Sequence, residues 1–417
     1  MSSIQKRRVV VTGFGAVTPI GLNASESWEA AKAGVCGIAP ITLYDVTDRK
    51  VKLAGEATGF SPDTWIDPRE SRKMDRFTQL AVAAAAEAME SSGLVMERED
   101  TTRCGVIVSS GIGGIATLEN EILKGAEKGY DRVSPFYIPM SITNIAAGHI
   151  AIRHQLRGMC ACVTAACAGG TNAIGDAFRH IRDGYGDVML CGGAEAAITP
   201  SGMGGFTSMK ALTTNADPAR ASIPFDKERS GFVMGEGAGV LVLESLEHAT
   251  ARGARILGEV VGYGANCDAY HITAPSPNGE GSAKCLRLAL ADAGLSPENI
   301  DYINAHGTST PMNDAGETAA IKTAFGVHAA KLPVSSTKSM TGHLLGAAGG
   351  IEAIFTLQAL AEGFIPPTIN YRVADEECEL DVVPNQGRKA DIRYALSNSL
   401  GFGGHNAAVI FKKWEER

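Results

Sequence analysis

The stretch "VTAACAGG", residues 163–170, sets one cysteine among small residues. The residues before it, "GMCACVTAA", are strand-like, and "GGTNAIGDAFRHIRDG" after it is helix-like. Cys167 therefore falls at a strand-to-helix turn, facing a helix N-terminus whose free N–H groups and macrodipole favour an anion. Such a setting lowers a thiol pKa and supplies a nucleophile near neutral pH. The glycines and alanines around it let a substrate approach closely. The competing reading is a packed core thiol, because cysteine is among the most buried residue types. Cys160 and Cys162 lack the helix setting and are expected in the core.

Possible partners decide the matter. "INAHGTSTPMNDAGE" puts His306 at the end of an apolar strand, where α/β sheets collect ligand sites. "SSTKSMTGHLLGAAGG" puts His343 at the start of a small-residue helix, with Lys338 five residues earlier. Either histidine alone has a structural reading. Two in Gly/Thr/Ser-rich turns favour catalysis. His149, His154, His180, His248, His271 and His328 form no metal-ligand cluster and read as structural or surface residues, and His405 sits undecided in a glycine-rich loop.

The elements that must position these residues follow from the rest of the chain. Its 417 residues are 45% hydrophobic and 20% charged with 49 glycines, enough for two or three domains or one fold built twice. No apolar run approaches the ~20 residues that span a bilayer. The opening "MSSIQKRRVVVTGFGAV" imitates a signal peptide, but its apolar part is short, β-branched and broken by Gly13 and Gly15, which predicts a first buried strand. Nine scattered cysteines without a CxxC pair indicate neither a disulfide framework nor a zinc site, and a reducing cytoplasm is the economical reading. A net charge of −8 without a basic run argues against nucleic acid and leaves room for an acidic partner at a local basic patch. "GFGAVTPIG" and "GIGGIATLE" lack phosphate-loop spacing, and "GEGAGVLVLE" runs into a strand, so close packing explains its glycines.

Short β-branched runs alternate with small-residue helices, which predicts α/β layering. "RRVVVTGFGAV", "RCGVIVSSG", "GDVMLCGG" and "GVLVLES" read as buried strands, and "DRFTQLAVAAAAEAMESSGL" as a helix closed by Gly93. A weak repeat runs through the chain. "KRRVVVTGFGAVTPIG" is echoed by "ARILGEVVGYGANCDAYH" from Ala254, and "TQLAVAAAAEAMESSGL" by "SAKCLRLALADAGLSPE". "VTAACAGGTNAIGDAFRHI" finds its counterpart in "SMTGHLLGAAGGIEAIFTLQAL". Two copies of one β-α-β-α unit, residues 1–253 and 254–417, would bring Cys167 and the 337–350 segment to equivalent helix starts.

"TAACAGG", "NAHGTSTPMND", "TKSMTGHLLGAAGG" and "NSLGFGGHN" resemble, in order and over essentially the whole chain, the four signature blocks of the β-ketoacyl-acyl carrier protein synthases. The likeness is greatest to the elongating type II branch of bacterial fatty-acid synthesis. It implies a thiolase-like α/β fold, with duplicated halves in a five-layer α-β-α-β-α arrangement, and a homodimer. The first half would carry the nucleophile and the second both catalytic histidines. Cys167 would take an acyl chain from acyl carrier protein as a thioester. Malonyl carrier protein would then lose CO2 beside His306 and His343, and its carbanion would attack the acyl-Cys167 carbonyl.

The resemblance assigns further roles. Lys338 matches an active-site lysine, which the sequence alone would pair with a carboxylate such as Glu352. The N–H groups of Cys167 and Phe402 match an oxyanion hole, and Phe402 also matches a gating aromatic between glycines. Thr308 and Thr310 match positions that bond the phosphopantetheine arm, with Thr273 and Gly401 also assigned to substrate binding. Ile112 matches an acyl-pocket isoleucine that implies long chains, and Asp314 and Glu317 match acidic loop supports. Leu400 departs from a position often aromatic in the family. Arg72, Lys73 and Lys210 match basic positions that meet the acidic carrier protein, near Arg69 and Arg76. No cofactor and no metal are implied, nor a membrane partner. The rivals are an aromatic-polyketide ketosynthase, which shares the triad, a non-catalytic chain-length partner, which lacks the cysteine, and a thiol hydrolase.

Overall fold

The computed structural model describes residues 6–415. The first half contributes strand β1 (Val9–Val17), helix α1 (Arg76–Ser92), strands β2 (Cys104–Ser109) and β3 (Cys160–Ala161), helix α2 (Gly169–Arg182), and strands β4 (Val188–Glu195) and β5 (Gly237–Ser245). The second contributes β6 (Gly258–Cys267), α3 (Glu280–Ala293), β7 (Tyr302–Asn304), α4 (Pro311–Phe325), β8 (Val334–Ser335), α5 (Ala348–Glu362), β9 (Tyr394–Gly401) and β10 (His405–Lys412). The helix expected from "DRFTQLAVAAAAEAMESSGL" is present. Asp75 caps its N-terminus, and Gly93, in the left-handed region at φ 64°, ends it.

These strands form one ten-stranded ladder in the order β8-β7-β9-β10-β6-β1-β5-β4-β2-β3. Outward from the centre, both halves repeat the same pattern. The first strand pairs antiparallel with the last (β1 with β5, β6 with β10), and the last pairs antiparallel with the strand before it (β5 with β4, β10 with β9). Two parallel neighbours follow on each side. The half-sheets meet where Val9–Val11 pair with Gly258–Val260.

Helices fill three further layers. α1 packs on β1, β4 and β5, while α3 covers β6 and β10 and carries α4. Between the half-sheets lie α2 and α5, which touch each other and strands of both halves. Their small residues permit this. A Cβ on Gly170 would come 2.9 Å from the Gly346 carbonyl oxygen, and one on Gly349 would come 2.2 Å from Thr171 Oγ1. The two helix starts are thus pressed together, which is how residues about 170 positions apart reach one site. The buried side chains around them, including Ile107, Ile174, Leu241, Ile354 and Phe411, form one cluster across both halves.

Two expectations fail here. Cys160 is exposed and Cys162 only half-buried, because β3 is a two-residue strand at the sheet's edge with no neighbour beyond it among the described residues. His343 precedes its helix instead of starting it. It lies in a loop between the short helix Lys338–Thr341 and α5, which begins at Ala348. Among the described residues, no helix is long and apolar enough to cross a membrane.

Candidate active site

Cys167 stands two residues before α2, in a turn tight enough for Ala165 and Cys167 to bridge each other. Ala166 between them is left-handed at φ 47°, a conformation that costs a residue with a Cβ. β9 ends against this turn. A Cβ on Gly401 would lie 2.9 Å from the Ala165 carbonyl oxygen and 3.2 Å from the Cys167 nitrogen, so only glycine fits. The backbone N–H groups of Cys167 and Phe402 favour its thiolate, and so does the Lys338 charge. The thiol itself departs from the sequence expectation. Burial pushes it up to about 12, against the opposing pull of Lys338 and the two N–H groups. Burial outweighs the helix-start polarity at this position.

His306 follows β7. Its backbone N–H and that of Gly307 each donate to Glu317, both at 2.7 Å, and Asn398 donates to the same carboxylate at 2.8 Å. Burial holds Glu317 up at about 7. Asp314 accepts from the Phe225 and Ser309 backbone N–H groups at 2.8 and 3.2 Å. Both acids therefore brace the loop. His343 is pinned through its backbone, with its N–H donating to Val233 O at 2.7 Å and its carbonyl accepting from Gly235 N at 2.9 Å. The two imidazoles meet edge to face, with centroids 5.2 Å apart and planes at 88°. Phe232 packs edge-on to His343 at 5.2 Å. Burial and the Lys338 charge lower both histidines well below their ordinary value, so both rings are neutral at neutral pH.

Lys338 does not line the open cavity. It is buried beneath it and paired with Glu352, as the sequence reading allowed. From there its charge acts on Cys167, His306 and His343 together.

A cavity of about 380 Å³ opens onto Cys167, His306 and His343. Thr308 and Thr310 line its wall with their hydroxyls 2.9 Å apart. Thr273, Leu400, Gly401 and Phe402 lie around it, and exposed Lys210 is also in its lining. Phe402 rests against Phe206 at 6.3 Å, followed by left-handed Gly403 and Gly404. Ile112 is not in this lining. It packs in the apolar cluster that holds Cys167, Met203, Phe232 and Leu345. Arg72 is exposed, and Lys73 is half-buried and pairs with Glu70 at 2.9 Å. Arg76 is not free, because Glu236 takes its guanidinium at 2.6 and 2.7 Å.

Sequence reasoning missed three contributors. Phe232 walls His343, in a "SGFVMGEG" stretch whose glycines drew attention away from it. Arg229 donates to the Thr310 and Pro311 carbonyls at 3.3 and 3.0 Å and so ties the threonine loop to the segment that leads to Phe232. Glu195 ends β4 behind the cysteine. The basic–acidic run "PFDKERSG" was the available signal for Arg229.

The fold and site define a class in which a cysteine and two neutral histidines share one cavity. Models of the beta-ketoacyl synthase N-terminal and C-terminal domains match residues 6–249 and 257–372. The chain belongs to the β-ketoacyl synthase family. Relatives named 3-oxoacyl-[acyl-carrier-protein] synthase 2 are 52% identical over 416 residues in Synechocystis sp. and 51% identical over 411 residues in Staphylococcus aureus, covering 100% and 99% of both chains. Among solved structures, the ishigamide ketosynthase/chain length factor superposes with a TM-score of 0.93 at 40% identity. A beta-ketoacyl synthase from Burkholderia phymatum gives 0.91 at 35%. A type II PKS acyl-carrier protein in complex with its ketosynthase also gives 0.91 at 35%. Each covers 98% of this chain and 100% of its own. The thiolase-like, layered α/β expectation agrees with these neighbours.

Proposed function

We propose that this protein is an elongating 3-oxoacyl-acyl carrier protein synthase of type II. The observation that carries the proposal is the convergence of Cys167, His306 and His343, from both halves, on one cavity. In the first step the Cys167 sulfur attacks the acyl thioester carbonyl. The oxyanion accepts from the N–H groups of Cys167 and Phe402, and the carrier's thiol leaves with the cysteine's proton. In the second, the malonyl C–CO2 bond breaks and its electron pair forms an enolate at the thioester carbonyl. Neutral His306 and His343 donate to that oxygen. The enolate carbon then attacks acyl-Cys167, the sulfur leaves and takes a proton from solvent, and CO2 and a 3-oxoacyl carrier protein two carbons longer depart.

Thr308 and Thr310 hold the pantetheine arm, Thr273 and Gly401 bind substrate, the glycines flanking Phe402 let its loop move, and Ile112 bounds the acyl chain. Arg72, Lys73 and Lys210 meet the acidic carrier protein. The halves are residues 1–253 and 254–417. No cofactor takes part beyond the pantetheine of the substrates. The protein works in the cytoplasm as a homodimer. Nine unpaired cysteines support the first assignment. The second is supported by the outer edge of β3, unpaired among the described residues, and by the exposed apolar side chains of Tyr130, Phe136, Ile138 and Ile142.

An aromatic-polyketide role is the alternative, favoured by the ketosynthase/chain length factor likeness. It calls for a dedicated partner subunit, so an active homodimer excludes it. The test is condensation of acyl and malonyl carrier proteins by purified protein. Wild type makes the 3-oxoacyl product and Cys167→Ala does not; product from Cys167→Ala refutes the proposal.

A further inference from the structure

The buried carboxylate of Glu195 plays no part in the mechanism above. Glu195 is 0% exposed and has no cation beside it among the described residues. Four hydrogen-bond donors compensate it instead. Oε2 accepts from the backbone N–H of Gly111 at 2.7 Å and of Gly346 at 3.0 Å. Oε1 accepts from the Ser110 hydroxyl at 2.9 Å and the Ile112 N–H at 3.2 Å. These donors come from both halves of the chain. One segment carries Ile112 into the apolar cluster around Cys167, and the other leaves His343 three residues earlier.

Two further observations show that the carboxylate fixes something. Leu345, between His343 and Gly346, is left-handed at φ 46°, a region a bulky side chain holds only under outside constraint. There is also no slack. A Cβ on Gly111 or Gly346 would lie 2.9 Å from Oε2, and one on Gly193 would lie 2.0 Å from the Gly346 carbonyl oxygen.

We propose that Glu195 is a positioning residue that locks the Ile112 turn to the His343 segment, so that the acyl-pocket wall and the enolate-stabilising histidine are held in one register. The proposal rests on the condensing function given above. It makes chain-length choice and decarboxylation depend on one side chain that touches neither substrate.

Glu195→Gln separates the two tethers. If the amide oxygen keeps the Gly111 and Gly346 N–H groups, the amide NH2 faces the Ser110 hydroxyl, which can turn to accept. It also faces the Ile112 N–H, which cannot. The Ile112 tether is therefore the one lost. The relative kcat/KM for long and short acyl carrier proteins should shift on the order of tenfold, while malonyl decarboxylation stays within about twofold of wild type. Glu195→Ala cuts both tethers and lowers decarboxylation as well.

Because the Glu195 charge raises the Cys167 thiol, Glu195→Gln should also speed Cys167 alkylation by iodoacetamide at fixed pH, a readout independent of carrier proteins. Ser110→Ala, which keeps the carboxylate, should move the chain-length profile the same way by a smaller factor. An unchanged profile in a folded Glu195→Gln protein, or in Ser110→Ala if the former does not fold, overturns the proposal. A wild type that never acylates Cys167 overturns the function and this inference together. An active wild type with indifferent variants overturns this inference alone.

Discussion

Replacing Lys338 with methionine tests the electrostatic design of the site. Lys338 and Glu352 are 1% and 3% exposed, so the variant leaves a carboxylate buried without its cation. Breaking a buried pair from one side costs about 3–5 kcal/mol, whereas replacing both partners with apolar groups of similar volume is often near neutral. At roughly 2.1 cal/mol/K per residue, 417 residues give about 0.9 kcal/mol per degree near Tm, so the loss reads as roughly 3–6 °C. The double variant Lys338→Met/Glu352→Leu should recover most of it. A functional change accompanies the stability change. Without the Lys338 charge, His306 and His343 rise back toward their ordinary value, although burial still lowers them. Each ring then protonates at a higher pH than in wild type, so the acid limb of malonyl carrier protein decarboxylation moves up in pH. The assays are thermal unfolding of the three variants and decarboxylation rate against pH from about 5 to 8. A single variant within about 1 °C of wild type, or an acid limb that does not move, refutes the reasoning.

Three other perturbations have defined outcomes. Gly401→Ala puts a methyl 2.9 Å from the Ala165 carbonyl oxygen and must displace the Cys167 turn, so acylation should slow on the order of 10²-fold for an overpacking cost of about 1–3 kcal/mol, read by single-turnover acylation. Arg72→Glu and Lys210→Glu should raise KM for carrier-protein substrates in a salt-dependent way, while kcat with a small pantetheine thioester is unchanged in steady-state kinetics. His248 lies between Glu244 at 2.6 Å and Glu99 at 2.8 Å, and those contacts raise it above its ordinary value of 6.5. Its stabilisation is complete below the unfolded value and is lost as pH rises through the folded one. Urea unfolding of His248→Gln should therefore show its largest deficit near about pH 6 and a smaller one near about pH 9.

Much of this architecture was legible because the repeat is written in residue size. The β-branched runs at Val9–Val17 and Gly258–Cys267 both became first strands, and the Gly/Ala starts of α2 and α5 became the paired central helices. Cys167, His306 and His343 were legible for the same reason, since each sits where an apolar run gives way to small turn residues. The thiol's protonation was not, because burial is a property of the whole fold, whereas a helix start is local. Cys160 and Cys162 misled because an apolar-looking run says nothing about where a sheet ends. Arg76 misled because its partner, Glu236, is 160 residues away in the chain. Glu195 left no signal, since its four donors are three backbone N–H groups and one serine hydroxyl.

The most direct test of the account is the intact-protein mass after incubation with acyl carrier proteins of several chain lengths, before malonyl carrier protein is added, with Cys167→Gln as control. The account predicts a mass gain of one acyl group on wild type, mapped to Cys167, absent from the control and discharged as a 3-oxoacyl product once malonyl carrier protein arrives. An acyl group elsewhere, or none at all, would contradict it and return Cys167 to the core.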